Sequence, residues 1–198
     1  MIPYGTFTFF LIAFIVLIPV IILGFLGKRS YIYNGISTAI MIVIIFASDK
    51  HNLLGQKYLS AQLFCFIIYV IWQVALIMYY YQSRQRKNTF TKFVTIMVLS
   101  ILPLAIVKIL QSSWLGGHQI HFHESKLIEF VGFLGISYVT FKSVQLIMEI
   151  RDGSIKEIKV GKLIQFISFF PTISSGPIDR YKRFVKDDKK VPSGAEYR

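Results

Sequence analysis

The chain has 198 residues, of which 54% are hydrophobic and 16% charged, and its 22 Lys and Arg outnumber 10 Asp and Glu to give a formal net charge of +12. A soluble domain normally carries about a quarter charged residues, so this composition excludes an ordinary soluble domain and predicts an integral membrane protein. The basic residues lie in short loops between apolar runs, which favours orientation in a membrane over binding to nucleic acid.

Five apolar stretches approach the roughly 20 residues that a helix needs to cross the hydrocarbon core. In chain order they are Tyr4–Leu26, Tyr31–Ser48, Leu59–Tyr81, Phe90–Leu110 and Leu127–Ile150. The first has its basic residues after it and is too long for the core of a signal peptide, which favours a retained helix. The connecting loops are alternately basic and weakly charged. This alternation places the N-terminus outside and the odd-numbered loops in the cytoplasm.

The last apolar stretch, Leu163–Ile173, has only about half the length of a span, and Pro171 and Gly176-Pro177 interrupt it. A true crossing would put the basic tail outside, against the charge rule. We therefore predict a re-entrant or broken helix over 163–180, shielded by surrounding protein. The predicted fold is all-α, with about five transmembrane helices in residues 1–150, this segment, and a basic cytoplasmic tail over 181–198, all in one membrane domain.

The fifth stretch carries a polar stripe. Tyr138, Lys142, Gln145 and Glu149 are spaced so that they share one helix face. An ammonium near the middle of a span is costly, so Lys142 should meet a polar interior or a partner. Glu149 is two turns away and too far for direct contact. Two interpretations stay open: a buried stripe that joins helices, or the wall of an aqueous cavity or substrate path.

Other chemistry-bearing residues give weaker signals. His118, His121 and His123 lack the spacing of a helical zinc motif, so we expect no metal site. Ser174 and Ser175 have no neighbouring base, and we expect them to bond to backbone groups of the broken helix. The single cysteine excludes an intramolecular disulfide.

Two motifs near the end of the chain resemble those of a known family. The stretch Phe169–Tyr181 (FFPTISSGPIDRY) resembles the FFPT–SGPI–R hallmark of membrane-bound O-acyltransferases. Gly135–Lys142 and its continuation to Ile150 resemble the companion segment of the teichoic acid D-alanyltransferase branch. Alginate O-acetyltransferases share its GIS-Y/F-x-TF core, but the Lys142–Gln145 continuation and Asp179-Arg180-Tyr181 point to the D-alanyl branch.

The resemblance implies part of the acyltransferase fold and its chemistry. A carrier protein would present D-alanine as a phosphopantetheine thioester on the cytoplasmic side, and a teichoic acid hydroxyl would accept it from outside. The partners implied are the D-alanyl carrier protein, the teichoic acid acceptor and the lipid bilayer. Candidate tunnel or motif residues are Lys142, Gln145, Glu149, Pro171, Ser174, Ser175, Gly176, Pro177, Asp179 and Arg180.

One departure from the family matters for activity. Family members are much longer, and their catalytic histidine lies in the later half. The histidines of this chain lie outside the matched motifs and do not inherit that role; they are His51, His118, His121 and His123. We therefore expect no catalytic residue in this chain. It would be the N-terminal part of the enzyme, a truncated product or the first half of a split protein that needs a C-terminal half.

Three alternatives stay open. The first is O-acetyl transfer to an exopolysaccharide by the same family. The second is a small transporter or scaffold whose Lys142 face lines a solute path. The third is a non-functional remnant, for which no stable membrane-inserted product should be found.

Overall fold

The protein is described from a computed structural model, which covers residues 7–26, 31–47, 59–86, 89–111, 135–155, 157–169, 172 and 179–189. Within these residues the regular secondary structure is helical, with no strand, so the all-α prediction is confirmed there. The helices are α1 (Phe7–Phe25), α2 (Tyr31–Ala47), α3 (Leu59–Arg86), α4 (Phe90–Gln111), α5 (Ile136–Arg151), α6 (Val160–Ile167) and α7 (Tyr181–Lys189).

Helices α3 and α4 are long and apolar enough to cross a membrane. They contain 28 and 22 residues, which at 1.5 Å per residue extend about 42 and 33 Å. Large apolar side chains remain exposed along both, including Phe64 and Ile71 on α3 and Val98 and Leu102 on α4. Rows of exposed apolar side chains are unfavourable in water and suit lipid. Both features support the predicted membrane location.

The other predicted spans are shorter where the structure describes them. Helices α1 and α2 are apolar but do not reach spanning length over the described residues. Helix α5 has 16 residues, and residues 127–134 of the fifth predicted span lie outside the described residues. The count of five spans, and the single domain over 1–198, therefore stay predictions.

The chain divides into two compact units, residues 1–63 with 184–198 and residues 64–183. In the first unit α1 and α2 pack together, and the Tyr33 hydroxyl donates a hydrogen bond of 3.2 Å to the Val16 carbonyl oxygen. The second unit contains most of α3, together with α4, α5 and α6. Within it, α5 packs along α4 and contacts α6, so this unit holds the polar stripe that the sequence singles out.

A buried hydrogen-bond network joins α3, α4 and α5. The Gln73 amide nitrogen donates to the Tyr69 hydroxyl (2.8 Å) and to the Ser100 carbonyl oxygen (3.0 Å), and the Ser100 hydroxyl donates to the Gln73 amide oxygen (2.8 Å). Thr140 donates to the Ile136 carbonyl oxygen, so the Tyr69 hydroxyl, 2.6 Å from Thr140 Oγ1, acts as donor to it. Interhelical polar pairs of this kind hold membrane helices together where hydrophobic burial offers little.

The C-terminal end of α5 turns at Gly153. Its φ of +75° is left-handed, and the Gly153 and Ser154 backbone N–H groups donate to the Ile150 and Glu149 carbonyl oxygens at 3.2 and 3.1 Å. These bonds satisfy carbonyl groups that a helix end leaves free. A Cβ on Gly153 would lie 3.1 Å from Nη2 of Arg84. Both the backbone angle and this contact favour glycine.

Replacing Gly153 by alanine should lower the free energy of unfolding by about 1–2 kcal/mol, because a left-handed backbone is unfavourable for any residue with a Cβ. Thermal unfolding of the purified chain in detergent, followed by helix content, measures this loss. Gly161→Ala is the matched control, since Gly161 lies within α6 with no atom near the added Cβ and carries no positive φ. Equal unfolding temperatures for the two variants would contradict the argument.

Candidate functional site

Lys142 lies in the middle of α5 and is only 2% exposed. Its ammonium donates a hydrogen bond of 3.1 Å to the Phe166 carbonyl oxygen and a second one to the Thr172 hydroxyl. The ammonium also lies 5.5 Å from the centroid of the Phe166 ring, within the range of a cation–π interaction. Lys142 forms no ion pair with a described carboxylate. The charge is therefore stabilised by backbone, hydroxyl and ring.

These contacts place Lys142 at the C-terminal end of α6. The last carbonyl groups of a helix carry its negative dipole end, and the Phe166 carbonyl lies in the last turn of α6. Thr172, which accepts from Lys142, donates in turn to the Phe169 carbonyl oxygen at 3.0 Å. One ammonium thus fixes both the end of the short helix and the turn that follows it.

Thr172 and Tyr181, on either side of the segment 173–178, contact different parts of α6 and its flanks. Thr172 lies beside Lys142, whereas the Tyr181 ring packs edge-on against the Phe166 ring with centroids 5.4 Å apart. The Tyr181 hydroxyl interacts with the Lys159 backbone, just before α6. Burial raises the pKa of the Tyr181 phenol, so it remains neutral. Thr172 therefore lies beside Lys142, and Tyr181 lies beside Phe166 and Lys159.

Glu149 lies two turns along α5 from Lys142 and meets the beginning of α7. The backbone N–H of Lys182 interacts with its carboxylate, and the charged groups of Arg180, Lys182 and Asp179 lie within electrostatic reach. An anion is favourable at the N-terminal, positive end of a helix. The two charged residues of the stripe on α5 thus meet helix ends of opposite polarity. Lys142 meets the negative C-terminal end of α6, and Glu149 meets the positive N-terminal end of α7. We call this pair the α5 clamp.

Gln145 lies between the two residues of the clamp on the same face of α5. Its amide oxygen, Oε1, is buried and has no hydrogen-bond partner, and the same holds for Oε2 of Glu149. Burial of an acceptor without a donor is unfavourable, so these two atoms are the polar groups of the stripe that the described residues leave unsatisfied.

The remaining predicted site residues fall into two groups. Asp179 Oδ1 accepts a hydrogen bond of 2.8 Å from the backbone N–H of Arg180 and lies 3.8 Å from Nε of Arg183. The side chain of Arg180 is exposed. Outside the described residues lie Pro171, Ser174, Ser175, Gly176 and Pro177, together with His51, His118, His121 and His123. Among the described residues, no group of His, Cys, Asp and Glu has the arrangement of a metal site.

Three residues at or beside the clamp were not expected from the sequence as site residues. They are Phe166 and Thr172, which accept from Lys142, and Tyr181, which packs on Phe166. Thr172 and Tyr181 belong to the hallmark stretch, but their side-chain contacts depend on how α6 returns to α5. Phe166 contacts Lys142 through its backbone carbonyl and its ring. Because every residue has a backbone carbonyl, the sequence could not indicate the first contact. The Gln73 network was also missed, although a glutamine within an otherwise apolar span was a usable signal.

The chain is similar over its length to proteins named teichoic acid D-alanyltransferase. It is 46% identical over 198 residues to the one from Bacillus subtilis (strain 168), covering 100% of this chain and 46% of that protein. It is 41% identical over 198 residues to that of Lacticaseibacillus rhamnosus and 32% identical over 194 residues to that of Streptococcus thermophilus, covering 98% of this chain and 44% and 42% of those proteins. The chain therefore spans about half the length of these relatives. No family model matches it.

Proposed function

We propose that the chain belongs, over the residues that it shares with these relatives, to the teichoic acid D-alanyltransferase family and that it forms part of an enzyme that transfers D-alanine to teichoic acid. The observation that carries this proposal is the 46% identity over all 198 residues. The α5 clamp adds structural support, because it joins the two segments in which the family resemblance was found.

In the proposed reaction, a teichoic acid hydroxyl oxygen attacks the carbonyl carbon of a D-alanyl thioester. The carbon–sulfur bond breaks, the carrier's phosphopantetheine thiol leaves, and the hydroxyl proton passes to a general base. We place that base outside the described residues. The role of this chain is positional: Lys142 and Glu149 hold the start and the end of the hallmark segment, so that its backbone keeps one arrangement beside α5.

We also propose a membrane topology, which the same contacts support. The segment from Lys159 to Tyr181 enters the membrane, reaches the depth of Lys142 and returns to the cytoplasmic side, which agrees with the charge rule for the basic tail. In this proposal the segment needs surrounding protein to shield its backbone polar groups, as the hydrocarbon core requires, and α5 supplies part of it through Lys142. The N-terminus lies outside in this arrangement, and the basic cytoplasmic loops face the acidic carrier protein.

The transporter alternative receives no support from the clamp. A lysine that lined a solute path would present its ammonium to water, whereas the Lys142 ammonium is bonded to Phe166 and Thr172 and is buried. This arrangement corresponds to the helix-joining interpretation of the stripe.

A hybrid transferase tests the proposed function. In it, this chain replaces the matching segment of the Bacillus subtilis transferase, and the host strain lacks its own enzyme. We expect alkali-labile D-alanine esters to reappear on teichoic acid, measured by release and chiral chromatography. An empty vector sets the background, and the intact Bacillus subtilis protein sets the upper level. A hybrid present in the membrane that forms acetyl esters, or no esters, would contradict the proposal.

A further inference from the structure

Two buried acceptors lie on the same face of α5, one helical turn apart. Gln145 Oε1 and Glu149 Oε2 are both enclosed and both lack a hydrogen-bond donor. Side chains four residues apart on a helix have Cβ atoms about 6 Å from each other, so one small donor group can reach both oxygens. An amide oxygen and a carboxylate oxygen are acceptors only, and together they require a donor with at least two N–H or O–H bonds.

The neighbouring cations do not supply that donor. Lys142, one turn from Gln145, directs its ammonium to Phe166 and Thr172. Arg180 and Lys182 lie within electrostatic reach of the Glu149 carboxylate, yet Oε2 remains unbonded. The acceptor pair therefore has no donor among these neighbouring cations.

We propose that Gln145 and Glu149 bind the primary ammonium of the aminoacyl group that the enzyme transfers. This inference rests on the proposed function and deepens it, because it assigns the residues that distinguish an aminoacyl donor from an acetyl donor. An ammonium carries three N–H donors and one positive charge, which matches a neutral and an anionic acceptor. An acetyl or propionyl group has no such donor and would leave both oxygens unsatisfied, and sites built on hydrogen bonds reject such analogues strongly.

Binding to the full chain in lipid nanodiscs tests this inference. The probes are D-alanyl-pantetheine with the thioester sulfur replaced by NH, and the propionyl analogue, which differs only by the amino group. We expect the D-alanyl probe to bind at least about tenfold more tightly, as one charge-assisted hydrogen bond provides. Gln145→Leu and Glu149→Gln should each reduce this ratio, and the double variant should reduce it further than either single change.

Matched controls separate recognition from general damage. Gln85→Leu and Glu157→Gln make the same chemical changes at exposed positions and should keep the wild-type ratio. The propionyl affinity should be unchanged in all variants, whereas a misfolded site would lose both probes. Equal binding of the two probes to the wild-type chain, or binding of neither, would overturn the inference. D-alanine esters formed by the hybrid transferase alongside that result would leave the proposed function intact.

Discussion

Replacing Lys142 by methionine should reduce D-alanine ester formation by the hybrid transferase by about a hundredfold, while lowering the free energy of unfolding by only about 1–3 kcal/mol. The stability loss is moderate because the change removes the hydrogen bonds that the ammonium donates to Phe166 and Thr172 but also removes a buried charge that is costly to desolvate. The activity loss is larger because the turn at Thr172 is no longer held, and misplacement by about 1 Å has costs of this size.

Two further variants serve as comparisons for the Lys142 prediction. Lys142→Arg keeps the charge and the donors and should recover part of the activity, although its planar guanidinium does not reproduce the contacts of a compact ammonium. Lys108→Met makes the same change as Lys142→Met at an exposed position near the end of α4 and should leave ester formation unchanged. Wild-type activity in Lys142→Met, with normal amounts in the membrane, would show that the segment does not depend on this residue.

Replacing Gln73 by leucine should destabilise the second unit by about 2 kcal/mol, since three hydrogen bonds are lost, two of them to Ser100 on α4 and one to Tyr69 on α3, and each is worth roughly 0.6 kcal/mol in a membrane protein. Gln73 is fully buried and bonds with both α3 and α4 groups. Unfolding of the purified chain in detergent measures the loss. Gln82→Leu, an exposed position on the same helix, is the control and should have little effect.

A double-mutant cycle makes the Gln73 prediction specific. If Gln73 and Ser100 stabilise the protein through each other, Ser100→Ala should cost less in the Gln73→Leu background than in the wild type, by at least about 0.5 kcal/mol. Additive losses would mean that the two side chains act separately, and the network would then not be what joins α3 to α4.

The stripe on α5 could be predicted because its signals are local. The positions of Lys142, Gln145 and Glu149 follow from helical periodicity, and the need of a buried ammonium for a partner follows from the cost of charge in an apolar environment. What the sequence left open was whether that partner was water or protein. The hydrogen bond from Lys142 to the Phe166 carbonyl, 24 residues away, shows that the partner is protein.

The partners on α6 and α7 were unpredictable for a physical reason. Every helix has free carbonyl groups at its C-terminal end and free N–H groups at its N-terminal end, whatever its side chains are. Which charge meets which end depends on tertiary contacts between segments far apart in the chain, such as that between Lys142 and Thr172.

Composition and periodicity by themselves determined that this protein is helical, apolar on its outer surface and polar along one face of α5, because these properties depend on local spacing and on the balance between lipid and water. Only the tertiary structure decided that Lys142 and Glu149 complement the ends of α6 and α7, and that Gln73 joins α3 to α4. Those pairings link residues far apart in the chain, and only folding brings them within hydrogen-bond distance.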